Sequence, residues 1–470
     1  MKRTIWIILL GMGLAAFARG QSLPELLQVA AENNPELRAY FKEYEASLER
    51  VPQMGGLPDP ELSMGFFLRP MELPMGLQRG ELQLMQMFPW FGMLKTKKDE
   101  ASKMALTRYE LFQEAKNRLF LEVKTAWYDL YKLEEEISVS EENLEILERF
   151  ERLALVRFQS SGAGSGQGSM QQPMSGTGTQ ITSRAGSSGM GAGMNMGGGK
   201  GTTAPTAMNS ASPSMNTASS GMSDVLRVRM EIKELENRLA LLHDSRAPLM
   251  ARINSLLNRD QAVPIAVSDS LEEVALSVER LSLLDSITAN NPMLKMLDAE
   301  KEAYGARRQM AKLEGRPMFG AGVNYMPFSP RTENGMQMGG DDMVMPMVKV
   351  TLPIYRKKYR AQLREAELSQ EMVELRKEST TNQLAYEWAA YLRDLDDAFR
   401  RAKLYKDQTG LARQTLDLLM VAYTSEGRDF EELLRVQQQL LDYRLKLISA
   451  VVDQHKVVSG LEALASIELY

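Results

Sequence analysis

The spacing of apolar and polar residues predicts a chain built mainly from very long helices. Apolar side chains recur every three or four positions over two long stretches, which places them along one face of a helix. The pattern predicts one helix over about 94–160 and a second over 356–425. The residues that carry this periodicity include Leu119, Val123, Trp127, Leu130, Leu384, Trp388, Tyr391 and Leu395. Because a helix rises about 1.5 Å per residue, each would be about 100 Å long.

Shorter helices precede and follow each long helix. The pattern predicts opening helices over about 23–51 and 271–314, and returning helices over 223–258 and 430–468. An opening helix stacked on a returning helix would restore roughly the length of a long helix. Because long helices with an apolar stripe bury that stripe against neighbouring helices, we expect antiparallel staves of matched length and not a globule.

Four short segments have the alternation that predicts β-strands. They come in pairs, in hairpins over 60–88 and 318–352, each between an opening helix and a long helix. The segments are Leu62–Leu68, Glu81–Phe88, Met318–Tyr325 and Val344–Leu352. In the second, Leu82 and Leu84 alternate with polar residues. This pattern fits lipid on one side and a water-filled lumen on the other, although an ordinary half-buried sheet has the same alternation.

The same order of elements occurs twice, with sequence landmarks in the same order. Asn33-Asn34-Pro35 corresponds to Asn290-Asn291-Pro292, and Leu226-Arg227-Val228 corresponds to Leu434-Arg435-Val436 once an insertion is allowed in the first copy. We therefore predict an internal duplication of a strand-strand-helix-helix unit with its opening helix. The predicted divisions are a first repeat over 21–160 that continues in 223–258, an insertion over 161–222 and a second repeat over 271–470.

The first twenty residues and the composition favour export. Residues 1–20 combine a basic start, a short apolar run and small residues, the pattern of a signal peptide cut after Ala18 or Gly20. That apolar run is too short to cross about 30 Å of hydrocarbon. The chain has 0 cysteines and 2 histidines, which excludes disulfides, thiolate metal sites and a lipidated cysteine. We therefore expect a protein of the bacterial periplasm or outer membrane.

Four strands are too few to close a barrel, and an open sheet edge in lipid leaves backbone groups without partners. Three copies would supply twelve strands for one barrel and twelve helical staves below it. The expected fold is therefore mainly α with a small β part. It has long antiparallel staves of an α-helical barrel and four membrane β-strands per subunit, with a 12-stranded β-barrel completed in a homotrimer.

With these elements in this order, the chain resembles the TolC-type outer membrane factor family, and within it the CusC-like heavy-metal efflux branch. The resemblance covers about 22–468, and its motifs are specific through their order and spacing. The motifs are Asn33-Asn34-Pro35, Leu57-Pro58-Asp59-Pro60, Gln86-Met87-Phe88-Pro89-Trp90-Phe91-Gly92, Ala422-Tyr423-Thr424-Ser425-Glu426-Gly427 and Leu433-Leu434-Arg435-Val436-Gln437. The chain departs from the family in its insertion and in lacking the acylated N-terminal cysteine that many relatives carry.

The resemblance implies a homotrimer with its β-barrel in the outer membrane and its α-helical barrel crossing the periplasm. It implies that the turns near 160–224 and 425–430 form the periplasmic entrance, where an adaptor protein joined to an inner-membrane pump would dock. We predict that residues near the second turn act in gating or adaptor docking: Asp417, Glu426, Gly427, Arg428 and Asp429. The alternative is a solvated helix end in which Asp429 caps the returning helix.

Methionine is the outlier of the composition, at 32 of 470 residues. Eight lie in 161–222, a stretch of mostly small and polar residues that predicts a disordered loop, and fourteen lie in and around the strand pairs. Thioether sulfur is a soft ligand that selects Cu(I), and by the same chemistry Ag(I). We predict transient binding of these ions by Met170, Met174, Met190, Met194, Met196, Met208, Met215 and Met222. The strand-pair methionines are a second candidate, and polarizable filler is the alternative for both groups.

The sequence predicts a passive duct and no enzyme, because it contains no catalytic triad, no His-Glu-x-x-His and no phosphate-binding loop. We expect His243 and His455 to be surface or packing residues, no resident cofactor, and no nucleic-acid partner at a net charge of −5. The expected function is the outer-membrane exit duct of a tripartite efflux pump that exports Cu(I), Ag(I) or other heavy metals. The alternatives are a multidrug or type I secretion duct, and a periplasmic methionine-rich copper-binding coiled-coil protein.

Overall fold

In the computed structural model, helices and strands follow the same order in both halves of the chain. The structure describes residues 22–163, 217–267, 270–274, 280–333, 335–426 and 430–467. The helices are α1 (Leu23–Asn33), α2 (Pro35–Gly55), α3 (Met93–Ala163), α4 (Thr217–Leu256), α5 (Arg280–Asn290), α6 (Pro292–Glu314), α7 (Arg356–Glu426) and α8 (Phe430–Ala465). The strands are β1 (Glu61–Leu73), β2 (Gly76–Phe88), β3 (Met318–Met326), β4 (Phe328–Ser329), β5 (Arg331–Glu333), β6 (Met336–Met338) and β7 (Met343–Thr351). The signal-peptide interpretation of 1–20 lies outside the described residues.

The two long helices, α3 and α7, have 71 residues each and are therefore about 100 Å long. On the side of the sheet, α2, α3, α6 and α7 pack side by side in that order. Farther from the sheet, α4, α3, α8 and α7 pack in the corresponding order. Each half therefore places one long helix beside a pair of shorter ones, as staves of matched length require.

Each opening helix is broken at its Asn-Pro motif. The breaks fall at Asn34 and Asn291, whose backbones are extended (ψ 122° and 123°). Both residues precede a proline, which disfavours helical backbone in the residue before it but suits the first position of a helix. The second opening helix also begins at Arg280 and not near 271.

These breaks join short helices end to end. The Asn34 side chain accepts a hydrogen bond from the Leu37 N–H (3.1 Å), which caps α2, and donates one to the carbonyl of Leu256 at the end of α4 (3.0 Å). Asn291 caps α6 in the same way and donates to the Leu464 carbonyl near the end of α8 (3.0 Å). One buried asparagine therefore satisfies backbone groups at the ends of two helices.

A polar seam joins the two halves along α3 and α8. Lys124 pairs with Glu462 (2.5 Å), and the charges are reversed about one and a half turns away, where Lys456 of α8 pairs with Asp129 of α3. Nearer the turns between the long and returning helices, the buried Gln437 side chain donates to Asn143 (2.5 Å). Polar groups this poorly exposed need hydrogen-bond or ion-pair partners. These pairs therefore fix the axial position of α8 relative to α3.

Strands β1, β2, β3 and β7 form an antiparallel sheet in that order, with β4 paired to β2, while β5 and β6 pair separately. Each half supplies a hairpin, and the hairpins join through β2 and β3, from Leu82 opposite Tyr325 to Phe88 opposite Phe319. Strands β1 and β2 are longer than the alternation predicts, because their pairing resumes beyond a register shift between Phe66 and Met71. Arg69-Pro70 lies within this shift, and proline cannot donate to the ladder.

Replacing Asn34 with alanine should lower the free energy of unfolding by at least ~1 kcal/mol, the typical loss of an N-cap. It also leaves the Leu256 carbonyl without its donor. Serine at the same position keeps a cap acceptor and cannot reach across to α4, so its loss should be smaller. Thermal unfolding of the two variants and of Asn291→Ala measures this. Equal stability of Asn34→Ala and wild type would contradict the role of Asn34 in joining α2 to the end of α4.

Candidate functional sites: the sheet and the turn end

One face of the sheet is apolar and remains exposed in the single chain. Register places Leu84 between Leu62 and Val323, and Ala321 opposite Val348. The apolar set across the four strands is Leu62, Met64, Phe66, Leu82, Leu84, Phe88, Phe319, Ala321, Val323, Tyr325, Val344, Pro346, Val348 and Val350. Phe66 and Val348 are more than 80% exposed, at 83% and 81%. So large a contiguous apolar surface marks an interaction with lipid or protein.

The opposite face carries polar residues, glycines and methionines. Glu61 is opposite Met85, Gln83 is opposite Asn324, and Gly320 is opposite Lys349. A sheet with one apolar and one polar face has the alternation that separates lipid from water. The ordinary half-buried sheet would instead cover its apolar face with the chain's own core.

The outer edges of the sheet are open. Among the described residues, β1 pairs with β2 alone and β7 pairs with β3 alone. Their outward N–H and C=O groups are available to a further strand. Aromatic side chains follow the strands at the point where the helices begin. Trp90 packs on Phe319 (5.9 Å between ring centroids), and Phe91 and Tyr355 are exposed.

The turn end, where α3, α4, α7 and α8 meet farthest from the sheet, is built on buried aromatic residues. Tyr423 of α7 lies 5.0 Å from Phe430, the first residue of α8, measured between ring centroids. Arg157 of α3 lies 4.5 Å from the Tyr423 ring and donates to the Tyr423 carbonyl (3.2 Å). Arg227 of α4 pairs with Glu431 of α8 (2.5 Å). At this end, α3 is thus tied to α7, and α4 is tied to α8.

The structure describes only part of the predicted gating set. Asp417 is exposed on α7, and Glu426 is the last residue of that helix. Gly427, Arg428 and Asp429 lie outside the described residues. Sequence reasoning missed Arg157, which contacts α7 at this end, because periodicity does not reveal which helix faces which.

Of the predicted loop methionines, only Met222 lies within the described residues. It is exposed on α4, which begins at Thr217, so it belongs to a helix and not to the loop. Met170, Met174, Met190, Met194, Met196, Met208 and Met215 lie outside the described part of the chain. Within that part, no three His, Asp or Glu side chains come together as a metal site.

The two histidines have structural surroundings. His243 is exposed and lies 3.5 Å from Glu141. His455 is buried on α8, where its ring lies beside Tyr128 and its Nε2 donates to the Glu272 carbonyl (2.9 Å). Burial lowers the pKa of His455, against a smaller opposing effect of this hydrogen bond. The imidazole is therefore held neutral as a packing group.

This pKa shift makes stability depend on pH. The pKa of His455 in the folded state lies below the unfolded value of about 6.5. As the pH falls below 6.5, His455 is therefore protonated more readily in the unfolded chain than in the folded chain. The contribution of His455 to stability is present above pH 6.5 and lost as the pH falls below it. We expect His455→Gln to reduce the drop in melting temperature between pH 7.5 and pH 5, compared with the wild-type chain. The same drop in the variant and in wild type would contradict the assignment.

No helix in the described ranges is both long and apolar enough to cross a membrane. No protein-family model matches the sequence, and no curated protein is similar to it. Solved structures do match. The outer-membrane channel OprN superposes with a TM-score of 0.68 at 13% identity, covering 95% of this chain and 90% of that one. CusC, which forms a transmembrane channel, gives 0.68 at 13% identity, covering 96% and 94%.

The open-state outer membrane channel MtrE of Neisseria gonorrhoeae gives a TM-score of 0.63 at 15% identity, covering 95% of this chain and 89% of that one. These matches extend over nearly the whole of both chains, long helices and sheet together. The protein therefore has the fold of the outer-membrane channels, mainly helical with a small sheet. At such low identity the likeness is one of fold.

Proposed function

We propose that this protein is one subunit of a homotrimeric outer-membrane duct, the exit channel of a tripartite efflux pump. The observation that carries the proposal is the four-stranded sheet with an exposed apolar face, a polar opposite face and two open edges. Lipid would cover the apolar face, and the polar face would line the lumen. The outer-membrane channel fold supports the same proposal.

Trimer formation follows from the open edges. A β-sheet edge facing hydrocarbon leaves its N–H and C=O groups without partners, at a cost of several kcal/mol for each group. Pairing β1 of one copy with β7 of the next satisfies these groups, and three copies would close a ring of twelve strands. The staves of the three copies would then form a helical barrel below the strands, and a tandem duplication explains why each copy supplies two similar halves.

The turn end would be the periplasmic entrance. There Asp417, Glu426, Gly427, Arg428 and Asp429 would meet an adaptor protein that connects the duct to an inner-membrane pump. The Arg157–Tyr423 contact would hold this end of α7 against α3, and adaptor docking would shift the helix ends between two packings.

The cargo would be a soft metal ion, Cu(I) or Ag(I). The abundance of methionine supports this choice, since thioether sulfur binds these ions in the absence of cysteine. The insertion, next to the proposed entrance, would collect the ions through Met170, Met174, Met190, Met194, Met196, Met208 and Met215, together with Met222 of α4.

Cysteine cross-linking tests the trimer, because the chain has no cysteine of its own. We expect Ser63→Cys on β1 combined with Lys349→Cys or Thr351→Cys on β7 to give dimers and trimers on oxidation in outer-membrane fractions. Ser63→Cys with Asn324→Cys is the matched control, because β2 separates these positions by about 10 Å within one sheet, too far for a disulfide. Only monomers from both edge pairs, with the chain in a detergent-free soluble fraction, would contradict the proposal.

Deleting 165–220 tests the role of the insertion in metal export. The deletion should leave trimers and membrane insertion intact, and should lower the Cu(I) and Ag(I) tolerance of cells that depend on this protein. A second variant, with the insertion methionines replaced by leucine, separates the loss of sulfur from the loss of the loop. Unchanged metal tolerance in both variants, with trimers intact, would remove the insertion from the proposal and leave the duct standing.

A further inference from the structure

In β2, β3 and β7 the methionines are confined to the polar face of the sheet, whereas Met64 of β1 lies on the apolar face. Strands β2, β3 and β7 contain seven methionines over their mutually paired residues, and the cross-strand register places all seven opposite residues of the polar face. They are Met85, Met87, Met318, Met326, Met343, Met345 and Met347. On the apolar face the same strands carry no methionine, and apart from Gln86 their large side chains are Leu, Val, Phe, Tyr and Pro.

This one-sidedness is the opposite of what a filler role predicts. Methionine used as a hydrophobic gap filler belongs among apolar neighbours, and here those neighbours are on the other face. On the polar face the thioethers lie among Gln83, Asn324, Lys349 and Thr351. The property that distinguishes methionine from the leucines opposite is its sulfur lone pairs.

Two glycines open a trough between the methionines. Gly320 and Gly322 of β3 both point to the polar face and have no side chain to fill it. The Met85 and Met87 sulfurs from β2 lie over Gly320, within 3.3 Å and 2.7 Å of where a Cβ at Gly320 would be. The Met85 sulfur also lies 3.1 Å from the corresponding point at Gly322. Two sulfurs thus occupy the space above the glycines.

A third sulfur could come from Met347 of β7, on the other side of the two glycines. Met347 of β7 is the direct partner of Gly322, whose other partner is Met85. Two strand spacings, about 10 Å, separate the backbones of β2 and β7, and two extended methionine side chains can meet across that distance. Met85 is only 5% exposed and Met347 is half-buried, so the site is partly shielded from water.

The charges beside the trough nearly balance. Lys349 is the partner of Gly320 and brings a positive charge, which disfavours any cation. Glu61 of β1 is the partner of Met85 and brings a negative charge to the same row. The trough therefore offers little net attraction to hard cations, and binding there depends on the sulfur atoms.

We propose that Met85, Met87 and Met347 form a thioether site for Cu(I) or Ag(I) above Gly320 and Gly322. Soft, neutral thioethers select monovalent soft ions over Ca²⁺, Mg²⁺ or Zn²⁺. Because thioethers carry no proton, binding needs no deprotonation, unlike histidine or thiolate sites. The role of this site in a channel lumen rests on the proposed function, whereas ion binding itself does not.

Ag(I) titration of the purified full-length chain in detergent tests the site, with Ag(I) as a probe that does not change oxidation state. The variant is Met85→Leu with Met87→Leu and Met347→Leu, which conserves side-chain volume. The matched control is Met64→Leu with Met71→Leu and Met75→Leu, outside the trough. We expect the trough variant to lose one equivalent of bound Ag(I), and the control to bind as wild type does.

Copper-edge X-ray absorption gives a second readout with Cu(I). We expect a first shell of sulfur alone in a chain lacking 165–220, and its loss in the same chain with the trough variant. Undiminished Ag(I) stoichiometry and an unchanged sulfur shell would overturn the site. If the proposed duct function is wrong, trimers should be absent from the outer membrane. The two metal-binding measurements do not depend on trimer formation.

Discussion

An exposed apolar sheet face is the constraint on which the rest of the structure depends. Four strands present Leu, Val and Phe to the outside, and the chain leaves them uncovered. Water disfavours that face, and hydrocarbon disfavours the two open edges that border it. In the proposed trimer, strand pairing between copies would remove the edges, and lipid would cover the face. In the proposed function, association of the copies and insertion into the membrane therefore require each other. Insertion alone would leave the open edges in hydrocarbon, and association alone would leave the apolar face in water.

The helices position that sheet by lateral packing. No single short helix matches the long α3 or α7, and the buried asparagines at 34 and 291 solve this by joining two helices into one stave. The seam between α3 and α8, with its reversed pairs Lys124–Glu462 and Lys456–Asp129, sets the halves in register. The β2–β3 pairing sets the same register at the other end. Together they hold the two hairpins as one continuous sheet.

The long helices were predictable from sequence because their apolar stripe persists over many turns, where chance patterns average out. The strands were found, but their extent was not, since Arg69-Pro70 interrupts the alternation and hides the continuation of β1. The breaks at Asn34 and Asn291 were visible as motifs, yet their partners Leu256 and Leu464 are distant in sequence. Methionine abundance was obvious from composition, whereas the confinement of the β2, β3 and β7 methionines to one face required the cross-strand register.

A cryo-electron microscopy map of the full-length protein, extracted from outer membranes in detergent, would test whether three copies close one membrane barrel. We expect a threefold particle with one closed ring of twelve strands, detergent around the face that carries Phe66 and Val348, and a helical tube below. A particle with one or two copies, or one in which protein covers that apolar face and no ring closes, would contradict the proposed trimer.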